Sequence, residues 1–281
     1  MIIATTLAPL KETIQSWKSA GLSIGFVPTM GNLHAGHISL LNEARSKCDK
    51  VVVSIFVNPL QFNESSDFAA YPKTLQADQQ QLTDAGADLL FLPDSGLMYP
   101  HGQAAITKVM VPYITEMLEG ACRPGHFDGV ATVVLKLFNL VQPEQAFFGE
   151  KDFQQLLLVK KMVVDLNLPI AIISVSTMRE ADGLAMSSRN SRLNSEQRKL
   201  AAKLYEVLQR ARAQLLNDAR AVEEVQSNAC EELLKSGFEP EYVSLREADN
   251  LQPASASSVN RVLLVAARLG DVRLIDNLLI D

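Results

Sequence analysis

The sequence predicts an α/β protein: a wound parallel sheet followed by a smaller α+β domain. Three observations carry this. Short β-branched runs alternate with stretches of helical spacing over the first 175 or so residues of the 281, the pattern of βαβ units. Several of those runs end in a loop rich in glycine and polar residues. Beyond a polar loop at Ser176–Asn190 the texture changes to helices followed by consecutive strands, the order of a small α+β domain.

The elements follow in order. Leu10, Ile14 and Trp17 repeat at i, i+4 and i+7, so Ala8–Ala20 is an amphipathic helix closed by Gly21. Ser23–Val27 is a strand, and the loop Pro28-Thr29-Met30-Gly31-Asn32-Leu33-His34-Ala35-Gly36-His37 leads into a helix. Lys50–Val57 is nearly continuous in β-branched residues, as a strand buried on both faces is. It stops at Asn58-Pro59-Leu60-Gln61-Phe62-Asn63, a loop of the kind that lines the ligand crevice of parallel sheets. A helix over Leu75–Ala85 and a strand over Asp88–Leu92 come next. Ser95–Gly129, broken by Pro100, Pro112, Pro124 and five glycines, reads as an insertion crossing the active face. Gly129–Val141 is an apolar helix, Ala146–Phe148 a strand, Asp152–Asn167 a helix and Ile170–Val175 another buried strand. Helices at Ser195–Asn217 and Ala221–Ser236 then precede strands at Glu241–Arg246, Arg261–Ala267 and Val272–Ile275, with an exposed hairpin connection at Ala254–Ser258. The expected domains are residues 1–180 and 181–281.

Composition narrows the function. With 47% hydrophobic and 21% charged residues the chain is an ordinary globular protein. A net charge of −6 argues against nucleic acid as partner, so an anionic ligand must be held by local donors. Cys48, Cys122 and Cys230 are widely spaced with no CxxC, which suggests neither a disulfide framework nor a zinc cluster, and reduced thiols of a cytoplasmic protein are the expectation. The start of the chain reads as no signal peptide, and no stretch approaches the roughly 18 apolar residues of a membrane span.

The chemistry collects at three turns. A helix starting near His34 offers unpaired N–H groups and a positive dipole end to a phosphate, and Gly31 and Gly36 let a ligand approach the backbone. His34 and His37, three apart, lie on one helix face about 5–6 Å from each other. The pair also fits a purely structural role; a metal would need more ligands than two histidines supply. Lys151 opposes the dipole preference at a helix start, which an anionic ligand explains and a solvated surface lysine also fits. Ser187-Ser188-Arg189 adds further donors. With no GxxxxGK[ST] or GxGxxG in the chain, a triphosphate bound without a P-loop is the implied ligand.

Pro28–His37 resembles the HIGH-type signature of the adenylyl-transferring superfamily. Together with Asn58-Pro59-Leu60-Gln61-Phe62, Arg123-Pro124-Gly125-His126-Phe127-Asp128-Gly129-Val130, Phe147–Gln155, Met186-Ser187-Ser188-Arg189-Asn190, Ala266–Gly270 and Leu274–Asn277, it is similar to the pantothenate synthetase, or pantoate–β-alanine ligase, family over almost the entire chain. The resemblance implies a Rossmann-like ATP domain with a smaller carboxyl-terminal lid, a homodimer, Mg²⁺, and ATP-dependent joining of (R)-pantoate to β-alanine through a pantoyl adenylate. It implies that His34 and His37 stabilise charge at the α-phosphate, with His37 as proton donor. Lys151, Ser187, Ser188 and Arg189 would hold the β- and γ-phosphates. Gly149 and Asp152 would lie near the ribose, with Met30, Gly31, Glu150, Met178 and Met186 also in the ATP site, Met178 through its backbone at the adenine. Gln61 and Gln155 would clamp pantoate, with Asn58 in the substrate site and Asp78 as a candidate Mg²⁺ ligand. Met178 stands where the family pattern leads us to expect valine. Two other classes stay open at this point. An adenylyltransferase for a phosphorylated acceptor would share the histidines without needing Gln61 and Gln155, and a non-catalytic nucleotide-binding protein would bind ATP without turnover.

Overall fold

The computed structural model describes residues 1–63, 68–218, 221–255 and 257–280. Strands β1 (Ile2–Ala4), β2 (Ile24–Thr29), β3 (Lys50–Ile55), β4 (Leu89–Phe91), β5 (Gln145–Gly149) and β6 (Ala171–Val175) form one sheet in the order β1-β4-β3-β2-β5-β6. Every neighbouring pair is parallel. Helices α1 (Leu7–Ser19), α2 (Ala35–Lys47), α3 (Leu75–Asp84), α4 (His126–Val141) and α5 (Phe153–Asp165) occupy the crossovers. From β2 the chain moves outward to β3 and β4, then returns to lay β5 on the other side of β2. That reversal is the switch point at which parallel sheets bind ligands, beyond the carboxyl ends of the strands.

Burial follows the pleat. Val27, Val51, Val53, Leu90 and Phe147 pack with Leu40, Leu41 and Ala44 of α2 and Leu82 of α3. Phe26 of β2 and Phe148 of β5 meet Phe138 of α4, each ring edge-on with centroids 6.3 Å apart. Such offset aromatic contacts add to the area buried. Residues 95–129 contain only short helical turns before α4, at Ser95–Met98, Ile114–Glu116 and Glu119–Cys122, as their prolines and glycines lead one to expect. One expectation is corrected: β6 is not a buried strand, since all of its residues are exposed or half-exposed. It is the sheet edge, paired among the described residues only with β5.

The later part of the chain folds helices α6 (Ser195–Ala201), α7 (Lys203–Asn217) and α8 (Val222–Lys235) against strands β7 (Glu239–Glu247), β8 (Arg261–Leu269) and β9 (Val272–Ile280). The strands are antiparallel, in the order β7-β8-β9. Leu204, Val207, Leu208, Ala211 and Leu215 of α7 and Val225, Ala229 and Leu233 of α8 close one face of that sheet over Leu245, Leu263, Val265 and Ala267. The single helix expected over Ser195–Asn217 is interrupted at Ala202, and β9 runs five residues beyond its expected end at Ile275. In the expected connection at Ala254–Ser258, Ala256 lies outside the described residues; Ser255 donates its N–H to Ser258 Oγ at 3.1 Å.

Two compact units result: Met1–Glu150 with Leu158–Ser176, and Lys151–Leu157 with Thr177–Asp281. The division is not a single cut, because Lys151 and the first turn of α5 group with the second unit. We expect Phe26→Ala to destabilise the first unit by about 3–5 kcal/mol, the cost of emptying a fully buried aromatic site. In urea titration the midpoint should fall while the slope stays unchanged.

Candidate functional site

In the first unit the carboxyl end of β2 turns sharply into α2. Gly31 and Asn32 both take positive φ, +82° and +49°. A Cβ on Gly31 would also stand 3.0 Å from Ile55 Cγ2 and 3.1 Å from an Asp78 carboxylate oxygen. The turn is held by Asp78 of α3, which is only 1% exposed. Its two oxygens accept the N–H groups of Asn32 and Leu33, each at 2.9 Å, and the Thr74 hydroxyl at 3.1 Å. Gly31 donates its own N–H to Thr29 Oγ1. Asp78, expected as a candidate Mg²⁺ ligand, thus has both carboxylate oxygens engaged by the loop. Among the described residues no group of three or more His, Cys, Asp or Glu side chains could hold a metal ion. The residues present do not make a protein cage for Mg²⁺, an ion commonly held through substrate phosphates and water.

His34 is the N-cap of α2, and the two histidines form a capping box. The N–H of Gly36 donates to His34 Nδ1 at 3.1 Å, and the N–H of His34 donates to His37 Nδ1 at 3.3 Å. The ring centroids are 4.1 Å apart, so the side chains are neighbours as their spacing predicted. A ring nitrogen that accepts cannot carry the proton, so in each neutral imidazole the proton is on Nε2, which makes Nε2 a donor. The first turn of α2 contains no acidic residue of its own to offset the positive dipole end. The expected opening of the backbone at Gly31 and Gly36 is thus modified. Both N–H groups are engaged by side chains, Gly31 by Thr29 and Gly36 by His34.

The loop after β3 is a 3₁₀ turn, Pro59–Gln61, capped by Asn58. Asn58 is 0% exposed. Its Nδ2 donates to Gln61 Oε1 and to the Gly129 carbonyl, both at 3.1 Å, while its Oδ1 accepts from Tyr99 OH at 2.6 Å and from the Leu60 N–H. Burial raises the Tyr99 hydroxyl pKa well above the ordinary tyrosine range, keeping it a donor. Gln61 donates from Nε2 to Met30 Sδ at 3.0 Å. The Gln61 carbonyl is fixed in turn by His126 Nδ1 at 2.7 Å and Arg123 Nη2 at 3.2 Å. Gly129 is required there, because a Cβ would lie 2.3 Å from the Leu60 carbonyl oxygen. Asn58, expected in the substrate site, orients Gln61, and Arg123-Pro124-Gly125-His126-Phe127-Asp128-Gly129 is the buttress of that loop. Tyr99, Arg123, His126 and Gly129 were not singled out as functional from sequence; the turn-rich 122–129 stretch was the available signal. At the end of β5, a Cβ on Gly149 would meet nothing within 4 Å, so the chain is open there, with Glu150 half-buried beside it.

The second unit carries the remaining expected residues. Lys151 and Asp152 lie in a 3₁₀ turn before α5, with Lys151 Nζ 3.7 Å from Asp152 Oδ1; Gln155, on the first turn of α5, is half-buried. Met178–Met186 forms a small hairpin: the Met186 N–H donates to the Met178 carbonyl, and Arg179 bridges to Ala185. The Met178 carbonyl thus has a backbone partner already, while its side chain is exposed. The hairpin feeds Ser187, whose Oγ accepts the Arg189 N–H at 3.2 Å and caps the 3₁₀ helix Ser188–Arg192. Lys151, Asp152, Gln155, Met178, Met186, Ser187, Ser188 and Arg189 thus belong to this unit, and Met30, Gly31, His34, His37, Asn58, Gln61, Asp78, Gly149 and Glu150 to the first.

A doubly wound parallel sheet with a histidine-capped helix at its switch point defines a Rossmann-like nucleotide-binding protein. The family model for pantoate–β-alanine ligase matches residues 2–279, and the chain belongs to that family. It is 50% identical over 281 residues to the pantothenate synthetase of Shewanella oneidensis, covering 100% of both chains. With that of Ectopseudomonas mendocina it is 52% identical over 276 residues, covering 98% of this chain and 97% of the relative. The crystal structure of pantothenate synthetase from Thermus thermophilus superposes with a TM-score of 0.90 at 44% identity, covering 99% of each chain. The Francisella tularensis ligase, crystallised with β-γ ATP and β-alanine, gives 0.84 at 38% identity, with 99% of this chain and 97% of that chain covered. Among the described residues no helix is long and apolar enough to cross a membrane.

Asp78→Asn tests the carboxylate's role. An amide offers one acceptor oxygen where the carboxylate serves two N–H groups, so stability should fall by about 1–3 kcal/mol and the apparent ATP KM should rise. The Mg²⁺ concentration for half-maximal turnover should stay unchanged; a marked shift in it would make Asp78 a metal ligand.

Proposed function

We propose that this chain joins (R)-pantoate to β-alanine at the expense of ATP, releasing AMP and pyrophosphate. The observation that carries the reading is the His34/His37 capping box at the end of β2, in a chain that matches the pantoate–β-alanine ligase family over residues 2–279. In the first step a pantoate carboxylate oxygen attacks the α-phosphorus, the bond to the bridging oxygen of the β-phosphate breaks, and pyrophosphate departs. In the second, the β-alanine amine attacks the acyl carbon of the adenylate and AMP leaves as the amide forms.

A carboxylate is a weak nucleophile towards a polyanion, so the barrier yields to alignment and to neutralised charge. No side-chain nucleophile is needed. His34 and His37, with Nδ1 engaged by backbone N–H groups, would direct Nε2 donors at the α-phosphate, His37 giving the proton. Lys151, Ser187, Ser188 and Arg189 would hold the β- and γ-phosphates, Gly149 and Asp152 the ribose, and Met30, Gly31, Glu150, Met178 and Met186 the rest of the nucleotide. Gln61 and Gln155 would orient pantoate. Being neutral, they fix its carboxylate without stabilising the charge so far that attack slows. Mg²⁺ would arrive on the triphosphate, and the enzyme would work as a cytoplasmic homodimer, the small domain serving as a lid that keeps water from the adenylate.

Exchange of labelled pyrophosphate into ATP, without β-alanine, is the test. Exchange that requires (R)-pantoate is the expected result; none in folded protein supplied with Mg²⁺ would overturn the reading. Lys151→Ala should lower turnover by about 10²–10³, the effect of removing one preorganised donor. Near-normal exchange by that variant would remove Lys151 from the site.

A further inference from the structure

Adjacent residues on β9 tie together two segments far apart in sequence. Asn277 is 6% exposed, and its Nδ2 donates to the backbone carbonyl of Lys151 at 2.9 Å. Asp276, 3% exposed, accepts both arms of Arg179, at 2.6 Å on Oδ2 and 2.9 Å on Oδ1. It also accepts the Asn277 N–H at 2.8 Å. Arg179 passes this anchorage on. Its Nη1 donates to the Gly183 carbonyl at 3.1 Å, and its guanidinium lies 3.8 Å over the Tyr205 ring. Gly183, at φ +90°, admits no side chain, since a Cβ would stand 2.4 Å from that same ring. The hairpin so pinned continues without interruption through Met186 into Ser187, Ser188 and Arg189.

All of these contacts lie within the second unit, and they reach no reacting group directly. Their common product is a distance. The Lys151 turn and the hairpin that leads to Ser187–Arg189 are both referred to the middle of one strand, by an amide on one side and a bidentate ion pair on the other. Planar fork-to-fork pairing restricts direction as well as separation, and the buried amide leaves the Lys151 carbonyl little freedom to shift.

We propose that Asp276 and Asn277 are positioning residues for the β- and γ-phosphates of ATP, setting the spacing between the Lys151 donor and the Ser187–Arg189 donors. The inference rests on the assignment of those four residues to the phosphates, so its test separates the two. ATP and AMP affinities are compared by titration calorimetry for Asn277→Ala, Lys151→Ala and the double variant. Misplacement of a donor by a fraction of an ångström to an ångström costs one to two orders of magnitude, so Asn277→Ala should weaken ATP by about 10-fold and leave AMP, which has no β- or γ-phosphate, unchanged. In the Lys151→Ala background the same substitution should add little, since coupled residues are non-additive.

Equal losses for ATP and AMP, or a full extra loss in the double variant, would overturn the positioning role. If Lys151→Ala alone leaves ATP affinity intact, it is the phosphate assignment that fails. Asn277→Asp keeps the volume but presents only acceptors to the Lys151 carbonyl, and should reproduce the selective loss of ATP. Failure of both Asn277 variants to fold would assign the residue to stability and end the proposal.

Discussion

The buried carboxylate of Asp78 is the contact on which the first unit's site depends. Passing from β2 into α2 forces two consecutive residues, Gly31 and Asn32, into positive φ, and leaves the N–H groups of residues 31–33 without a ladder or helix partner. Asp78 satisfies two of them and Thr29 the third. A buried ionised carboxylate is costly unless it accepts several hydrogen bonds, and here loop and acid satisfy each other. With the turn fixed, His34 arrives at the N-cap, and the first free N–H groups of α2 are taken by an imidazole rather than left for an anion. On the proposed assignment, recognition would pass from backbone amides, which bind phosphate in glycine-rich loops, to the outer nitrogens of two rings. Those rings are oriented and tautomerically defined before any ligand binds.

The same logic governs the loop after β3. Gln61 is flexible by nature and would cost side-chain entropy to immobilise at each binding event. Its amide oxygen is instead held by Asn58, its amide nitrogen by Met30, and its carbonyl by His126 and Arg123. Asn58 is in turn fixed by Tyr99 and by the Gly129 carbonyl. A fully satisfied buried polar network is rigid and specific, where a partly satisfied one would be worse than an apolar core. The residues that hold the amide lie on four segments that are remote in sequence, and none of them needs to touch a ligand to matter.

Much of this was legible from the chain. Period and composition located the strands β2, β3, β5, β7 and β8 within a few residues, because a β-branched run between glycine and proline punctuation has few other readings. The histidine pair was visible through its spacing. What escaped had non-local causes. Ile170–Val175 reads as buried because edge and central strands share residue types, and only the sheet order decides which neighbours exist. The interruption at Ala202 has neither glycine nor proline to announce it. Asp78 carries no mark of its bond to a residue 46 positions earlier, so its hold on the loop could not be read from the chain. Asn58 hides its bonds to Gln61 and to the Gly129 carbonyl in the same way: a polar residue at a strand end looks alike whether it faces a ligand or supports a residue that does.

Lys151 shows how sequence adjacency and structural reference can part. It follows Glu150 directly after β5, the strand beside β2 at the switch point, yet its carbonyl is held by Asn277 of β9 and it groups with the second unit. With the proposed assignments, the donors to the α-phosphate are built into one unit and those to the β- and γ-phosphates into the other. Because the protein contributes geometry rather than a nucleophile, how rigidly each unit holds its own donors matters as much as which donors it has, and the two anchors, Asp78 in the first unit and the Asp276–Asn277 pair in the second, perform equivalent tasks.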